Sequence, residues 1–367
     1  MIVRLLLAGL ALAQPLPDPA PVGPDPAGPS MLSDAPPEPA NTAPVATTPP
    51  AGQDEGSRVV RGTAAAAGTA PWQIQLYMTT PVSPERIKED RELPSSDLNK
   101  KFYADMSREE LTHLCGGVII AADWARGSAW ALSAGHCFVD KNDVLRPAGS
   151  RRVRLGNNYL PEATELKVDR VIVHADYRRA GDRRHDIALI HLVADDRTDR
   201  AKLAHAMPAT LPAPMQRVVP GDVLKVTGWG MTGENEDGAS RDVDGKALRG
   251  SPLLLEARLD LVAADRCRKV PNLMRTVWDG VLCVAGDTTG QDSCQGDSGG
   301  PLTRRGVLVG LVSVGLGCGR PGVPALYTRV DRYLPWISTM MAASTPGMNA
   351  KCRAVIRGRR PALDCLA

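Results

Sequence analysis

Apolar and polar positions alternate with a period of two along parts of this chain. Residues 73–77 set Ile74 and Leu76 among polar neighbours, and residues 152–156 set Val153 and Leu155 against arginines. Successive side chains of an extended chain point to opposite faces, so the pattern predicts strands. Residues 113–120, 129–133 and 168–173 are more continuously apolar and read as further strands. Residues 185–192 give another, with Asp186 at its start. A proline-rich stretch at 207–220 has turn chemistry without periodicity and separates two strand-rich halves. Thr227-Gly-Trp-Gly opens the second half, and strands are predicted at 253–261, 308–314 and 326–330. Helical signals are short. They cover 263–268, a terminal helix at 331–341 whose apolar positions can dock on the body, and a helix near 107–114. There Ser107, with Glu110 three residues on, has capping-box character.

The ends of the chain differ from its middle. Residues 1–13 carry one positive charge, Arg4, then a short apolar run with small residues at Ala11 and Ala13. This is the pattern of a secretory signal peptide; the run is too short to span a bilayer, and no other spanning segment is predicted. Residues 14–50 are dominated by Pro and Ala and hold no aromatic residue. Such a segment cannot bury enough surface to offset its ordering entropy, so 14–58 reads as a disordered propeptide or linker. The net charge of +3 hides a division: residues 14–58 hold six acidic side chains and one arginine, which leaves the remainder basic. No aromatic residues interleave with the basic ones of the tail, so a nucleic-acid partner is not expected. Residues 80–112, rich in Glu, Lys, Asp and Arg, predict a surface insertion, and 343–367 a basic extension.

Eight cysteines suit an oxidising compartment and pairing as disulfides. They show no Cys-x-x-Cys clustering of the kind zinc takes, and the acidic loop at 232–245 lacks the alternate ligand spacing of a calcium loop. No metal and no cofactor are expected. The predicted location is secreted, extracellular or periplasmic.

The chemistry concentrates at Gly290-Gln-Asp-Ser-Cys-Gln-Gly-Asp-Ser-Gly-Gly-Pro-Leu302. A serine among glycines can expose its hydroxyl and set two backbone N–H groups beside it, the requirement of acyl transfer. Ser298 is the candidate nucleophile. A glycine-rich turn alone would be weak evidence. Upstream, however, Trp130-Ala-Leu-Ser-Ala-Gly-His136-Cys137 and Asp186-Ile-Ala-Leu supply a base and a carboxylate. With these motifs in the order His136, Asp186, Ser298, the chain resembles the trypsin/chymotrypsin family of serine proteases over residues 59–341.

That resemblance implies an all-β fold of two six-stranded antiparallel β-barrels with a C-terminal helix. The protease domain would be 59–342, interrupted by the insertion at 80–112. It implies that His136 is the base, Asp186 its partner, further hydrogen-bonded by Ser313, and that the N–H groups of Gly296 and Ser298 form the oxyanion hole. Asp292 would floor a pocket for Arg or Lys, with Gly315 at the entrance and Ala325 where such pockets usually have glycine. Val314 replaces a usual tryptophan on the pocket wall. Cleavage after Arg58 would free Val59 to pair with Asp297, which makes the protein a zymogen; Arg61 departs from the small residue usual there and is expected to face solvent. The implied disulfides are Cys115–Cys137, Cys267–Cys283 and Cys294–Cys318, which leaves Cys352 and Cys365 for a local bridge. Expected partners are polypeptide substrates with Arg or Lys at the cleaved position and protein inhibitors, acting on a monomer. The alternative from another class is an exported binding protein on a protease-like scaffold without catalysis, although no triad residue is missing.

Overall fold

The computed structural model describes residues 60–80, 83–92, 107–179, 181–213, 217–232, 250–320, 322–344, 352–357 and 360–365. The expected signal peptide and leader at 1–58, Val59 and much of the loop at 232–245 lie outside the described residues.

After the short strand β1 (Thr63–Ala64), the chain enters β2 (Gln73–Met78). The insertion then supplies two helices, α1 (Pro84–Glu92) and α2 (Arg108–Thr112). At α2 the Ser107 side chain accepts from the Glu110 N–H while the Glu110 carboxylate accepts from the Ser107 N–H. The capping box is thus formed, but the helix ends at Thr112, two residues short of the expected boundary, because His113 already belongs to a strand. That strand is β3 (His113–Asp123), followed by β4 (Ser128–Ser133), β5 (Arg151–Leu155), β6 (Thr164–Val173) and β7 (Ala188–Val193). The first barrel closes in the order β2-β3-β4-β7-β6-β5. Its interior takes alternate residues of each strand: Ile74 and Leu76, Val153 and Leu155, Leu166 and Val168, Ile190 and Leu192. Each such side chain contributes roughly 1.5–3 kcal/mol of burial.

The second half adds β8 (Val223–Gly228), β9 (Leu255–Val262), the short helix α3 (Ala264–Arg268), β10 (Val281–Ala285), β11 (Pro301–Arg304), β12 (Val307–Val314) and β13 (Ala325–Arg329). These six strands close because β8 pairs with both β9 and β11, and β1 is appended to the edge of β9. The last helix, α4 (Leu334–Ala343), starts three residues later than expected. A 3-10 turn over Val330–Tyr333 precedes it, and Pro335 takes an early helical position where its missing N–H costs nothing. Ile337 and Tyr333 dock on a cluster that includes Val118 and Leu132 of the first barrel and Leu308 and Leu311 of the second. In the tail, where no element was expected, β14 (Cys352–Arg357) and β15 (Arg360–Cys365) form an antiparallel hairpin with Cys352 opposite Cys365. Among the described residues no helix is long and apolar enough to cross a membrane.

Candidate active site

Strand register brings the base and its carboxylate together. In the β4–β7 pair Ser133 lies opposite Ala188, so His136, three residues beyond one strand, meets Asp186, two residues before the other. Asp186 is 2% exposed, and both of its carboxylate oxygens are used. Oδ1 accepts the backbone N–H of His136 (2.9 Å); Oδ2 accepts from His136 Nδ1 (2.8 Å) and from the Ser313 hydroxyl (2.6 Å). Burial alone would raise the Asp186 carboxyl, yet the neighbouring imidazole and these hydrogen bonds hold it below the ordinary carboxylate range. An ionised Asp186 fixes the ring proton on Nδ1 and leaves Nε2 of His136 with a free lone pair.

Ser298 is supplied from the second barrel. It precedes β11, whose turn is tied to β12 by Gly299 N–H donating to Val312 O (2.8 Å). The Ser298 carbonyl accepts the Gly116 N–H of β3 (2.9 Å). That approach is close: a Cβ on Gly116 would fall 3.0 Å from Gly300 Cα. Ser313, one residue beyond Val312, crosses to Asp186, so the same strand pair positions both serines. Among the described residues no hydrogen bond joins the Ser298 hydroxyl to His136. The N–H groups of Gly296 and Ser298 donate to no protein acceptor there either, while Asp297, Gly299 and Gly300 beside them all do.

The Gly296 backbone has φ +95°, a conformation that favours glycine. His113, a residue the sequence reading passed over, faces it, with Nε2 at 2.9 Å from Gly296 O. Asp297 is buried; its oxygens accept from Gly230 N–H (2.9 Å) and Cys294 N–H (2.8 Å), and loss of solvent pushes its carboxyl up to about 6. Val60, one residue past the expected new terminus, bridges to Asp292, whose N–H donates to Val60 O (3.4 Å). Arg61 is exposed, as expected, and takes a positive φ of 55°.

The Asp292 carboxylate accepts from Gly319 N–H (3.0 Å) and Ser293 N–H (2.8 Å). Burial, with the Asp297 charge adding to it, raises Asp292 to about 6. The Ser293 hydroxyl is bonded to Tyr327 OH (2.7 Å). Gly315 and Ala325 face each other: a Cβ on Gly315 would lie 3.8 Å from the Ala325 methyl. Three disulfides brace these parts, Cys115–Cys137, Cys267–Cys283 and Cys294–Cys318. Cys115, His136 and Cys137 gather potential ligand atoms, but the two sulfurs are bonded to each other.

Two closed antiparallel barrels with a terminal helix, and a buried aspartate paired with a half-buried histidine, define a chymotrypsin-like fold. The trypsin family profile matches residues 93–337, and the chain belongs to that family. It is 35% identical to human serine protease 56 over 256 residues, 66% of this chain and 37% of the human protein. It is 34% identical to bovine tissue-type plasminogen activator over 243 residues, 61% of this chain and 38% of that protein. The chain thus spans well under half the length of these relatives. The solved structure of mouse neuropsin, a serine protease, superposes with a TM-score of 0.53 at 26% identity, covering 76% of this chain and 98% of neuropsin. The family match begins at residue 93, beyond β2.

Proposed function

We propose that this protein is an exported serine endopeptidase, made as a zymogen, that cleaves peptide bonds after Arg or Lys. The observation that carries this reading is the bonded array of Ser313, Asp186 and His136, which leaves an imidazole lone pair beside a serine turn with two uncommitted N–H groups. His136 Nε2 takes the Ser298 proton as the hydroxyl attacks the scissile carbonyl, and the N–H groups of Gly296 and Ser298 receive the oxyanion. His136 then protonates the leaving amine, and water, deprotonated by the same nitrogen, releases the acyl group. The names of the relatives, serine proteases and a plasminogen activator, support peptide-bond hydrolysis.

Asp292 supports selectivity for a basic side chain: a guanidinium or ammonium entering the slot pairs with the half-buried carboxylate and lowers its pKa. The Ala325 methyl narrows that slot. One methyl group in a tight site is worth about 1–3 kcal/mol of discrimination, so Ala325→Gly should raise kcat/KM on basic substrates by about tenfold and change the Arg/Lys ratio. The seat of Val60 against Asp292 supports entry of Val59 toward Asp297 after cleavage at Arg58, and the three disulfides support export. Profiling the cleaved protein on a peptide library tests the reading. Cleavage confined to Arg and Lys, and lost in a folded Ser298→Ala variant, is the expected result. Undiminished hydrolysis by Ser298→Ala would remove this serine as nucleophile.

A further inference from the structure

Gln75 of β2 lies between two groups of fixed polarity. Arg154 Nη1 donates to Gln75 Oε1 at 2.8 Å, Gln75 Nε2 lies 2.8 Å from His113 Nδ1, and His113 Nε2 lies 2.9 Å from Gly296 O. A guanidinium offers only N–H donors, so the Gln75 atom it meets is the amide oxygen. The amide nitrogen, itself a donor, therefore faces His113, and Nδ1 must present a lone pair. In a neutral imidazole the one remaining proton sits on Nε2. It points at the Gly296 carbonyl. Every donor in this row meets an acceptor, and only one tautomer satisfies it.

Both ends of the row are held. The Arg154 guanidinium stacks 3.9 Å from the Tyr77 ring centroid, its Nε lies 3.3 Å from Glu165, and the residue is 3% exposed. At the other end, Met231 N–H donates to Gln295 O (2.8 Å) and fixes the peptide that carries the Gly296 N–H. His113 fixes the next peptide through its carbonyl. A Cβ on Gly296 would fall 2.6 Å from His113 Nε2, so the two are in direct contact.

We propose that Gln75 and Arg154 are positioning residues for the oxyanion site, holding His113 in its Nε2–H form so that the ring clamps the Gly296 peptide. The proposal rests on the protease reading above. Burial pushes His113 down to about 4, which keeps the ring singly protonated near neutral pH, as the row requires. The oxyanion exists only in the transition state and the tetrahedral intermediate, so a loosened clamp lowers kcat and leaves KM unchanged.

The test uses Gln75→Met, which keeps length and volume but removes both polar ends. In the full chain cleaved after Arg58, kcat on a peptide amide should fall about tenfold with KM unchanged, a smaller loss than deleting an oxyanion donor outright. A peptide boronate, whose tetrahedral adduct occupies the oxyanion site, should weaken by the same factor. Benzamidine, an amidinium that probes the Asp292 pocket alone, should bind as it does to the unsubstituted protein. Nitrogen-15 spectra of histidine-labelled unsubstituted protein supply a second readout, which stands even if the variant fails to fold, and should show His113 protonated on Nε2. Unchanged kcat and boronate affinity in Gln75→Met, or an Nδ1–H tautomer at His113, would overturn the clamp. Cleaved unsubstituted protein that neither hydrolyses peptides nor binds boronate would instead overturn the protease reading.

Discussion

Asp186 is used on three sides at once, by two groups of His136 and by Ser313. An amide has one acceptor oxygen where a carboxylate has two, so Asp186→Asn must turn an N–H donor toward one of these partners and disfavour the Nδ1–H tautomer. We expect kcat to fall on the order of a thousandfold or more with the fold intact, measured as amide hydrolysis beside a thermal melt. A loss below tenfold would show that Asp186 does not hold the base. The motif residues were legible because their chemistry lies in short local patterns. The clamp behind Gly296 was not. Gln75 and Arg154 alternate with inward Ile74 and Leu155 and so read as the solvent face of their strands, yet they are 1% and 3% exposed. What buries them is neighbouring chain that no local pattern announces.

At the scale of elements, strands were legible where alternation or a long apolar run marked them, as in β2, β5, β6, β9 and β12. Strands β8 and β10 were also missed, and others that stayed hidden are short or lie inside other signals. Strand β11 is four residues long, begins with Pro301 and sits in the glycine-rich motif; β1 has two residues. Helix α1 is charged at all positions but Pro84 and Ile87 and carries no apolar stripe to read. The strands of the β14–β15 hairpin carry short apolar runs between charged residues in what scans as a solvated tail. The junction of β3 with the Ser298 turn makes its own prediction. Because Gly116 passes 3.0 Å, at its absent Cβ, from Gly300 Cα, Gly116→Ala makes the nucleophile turn give by a few tenths of an ångström. We expect a kcat loss of roughly threefold to tenfold, since misplacement by about 1 Å can cost a hundredfold and this shift is smaller, while circular dichroism remains that of the intact barrels. Full activity in that variant would mean that the approach is not needed.

For the whole molecule, the proposed activation couples a distant cut to the site through Asp297. Its folded pKa, about 6, lies above the ordinary 3.8, so ionising it opposes folding. The sign follows: the penalty is absent below about pH 4, grows as pH rises, and reaches about 3 kcal/mol above pH 6. A Val59 ammonium beside the carboxylate offsets that penalty. Cleavage after Arg58 should therefore raise the melting temperature at pH 7 by roughly 5 °C, with the gap closing near pH 4; a gap independent of pH would argue against the pair. The central claim, that His136, Asp186 and Ser298 act as one unit, is tested most directly by titrating the cleaved protein with a serine-directed phosphonate bearing an arginine-like group. The account predicts one adduct per chain, located at Ser298 by mass spectrometry and abolished by His136→Ala, with little labelling of the uncleaved protein. An adduct at another residue, or labelling at an equal rate without His136, would contradict it.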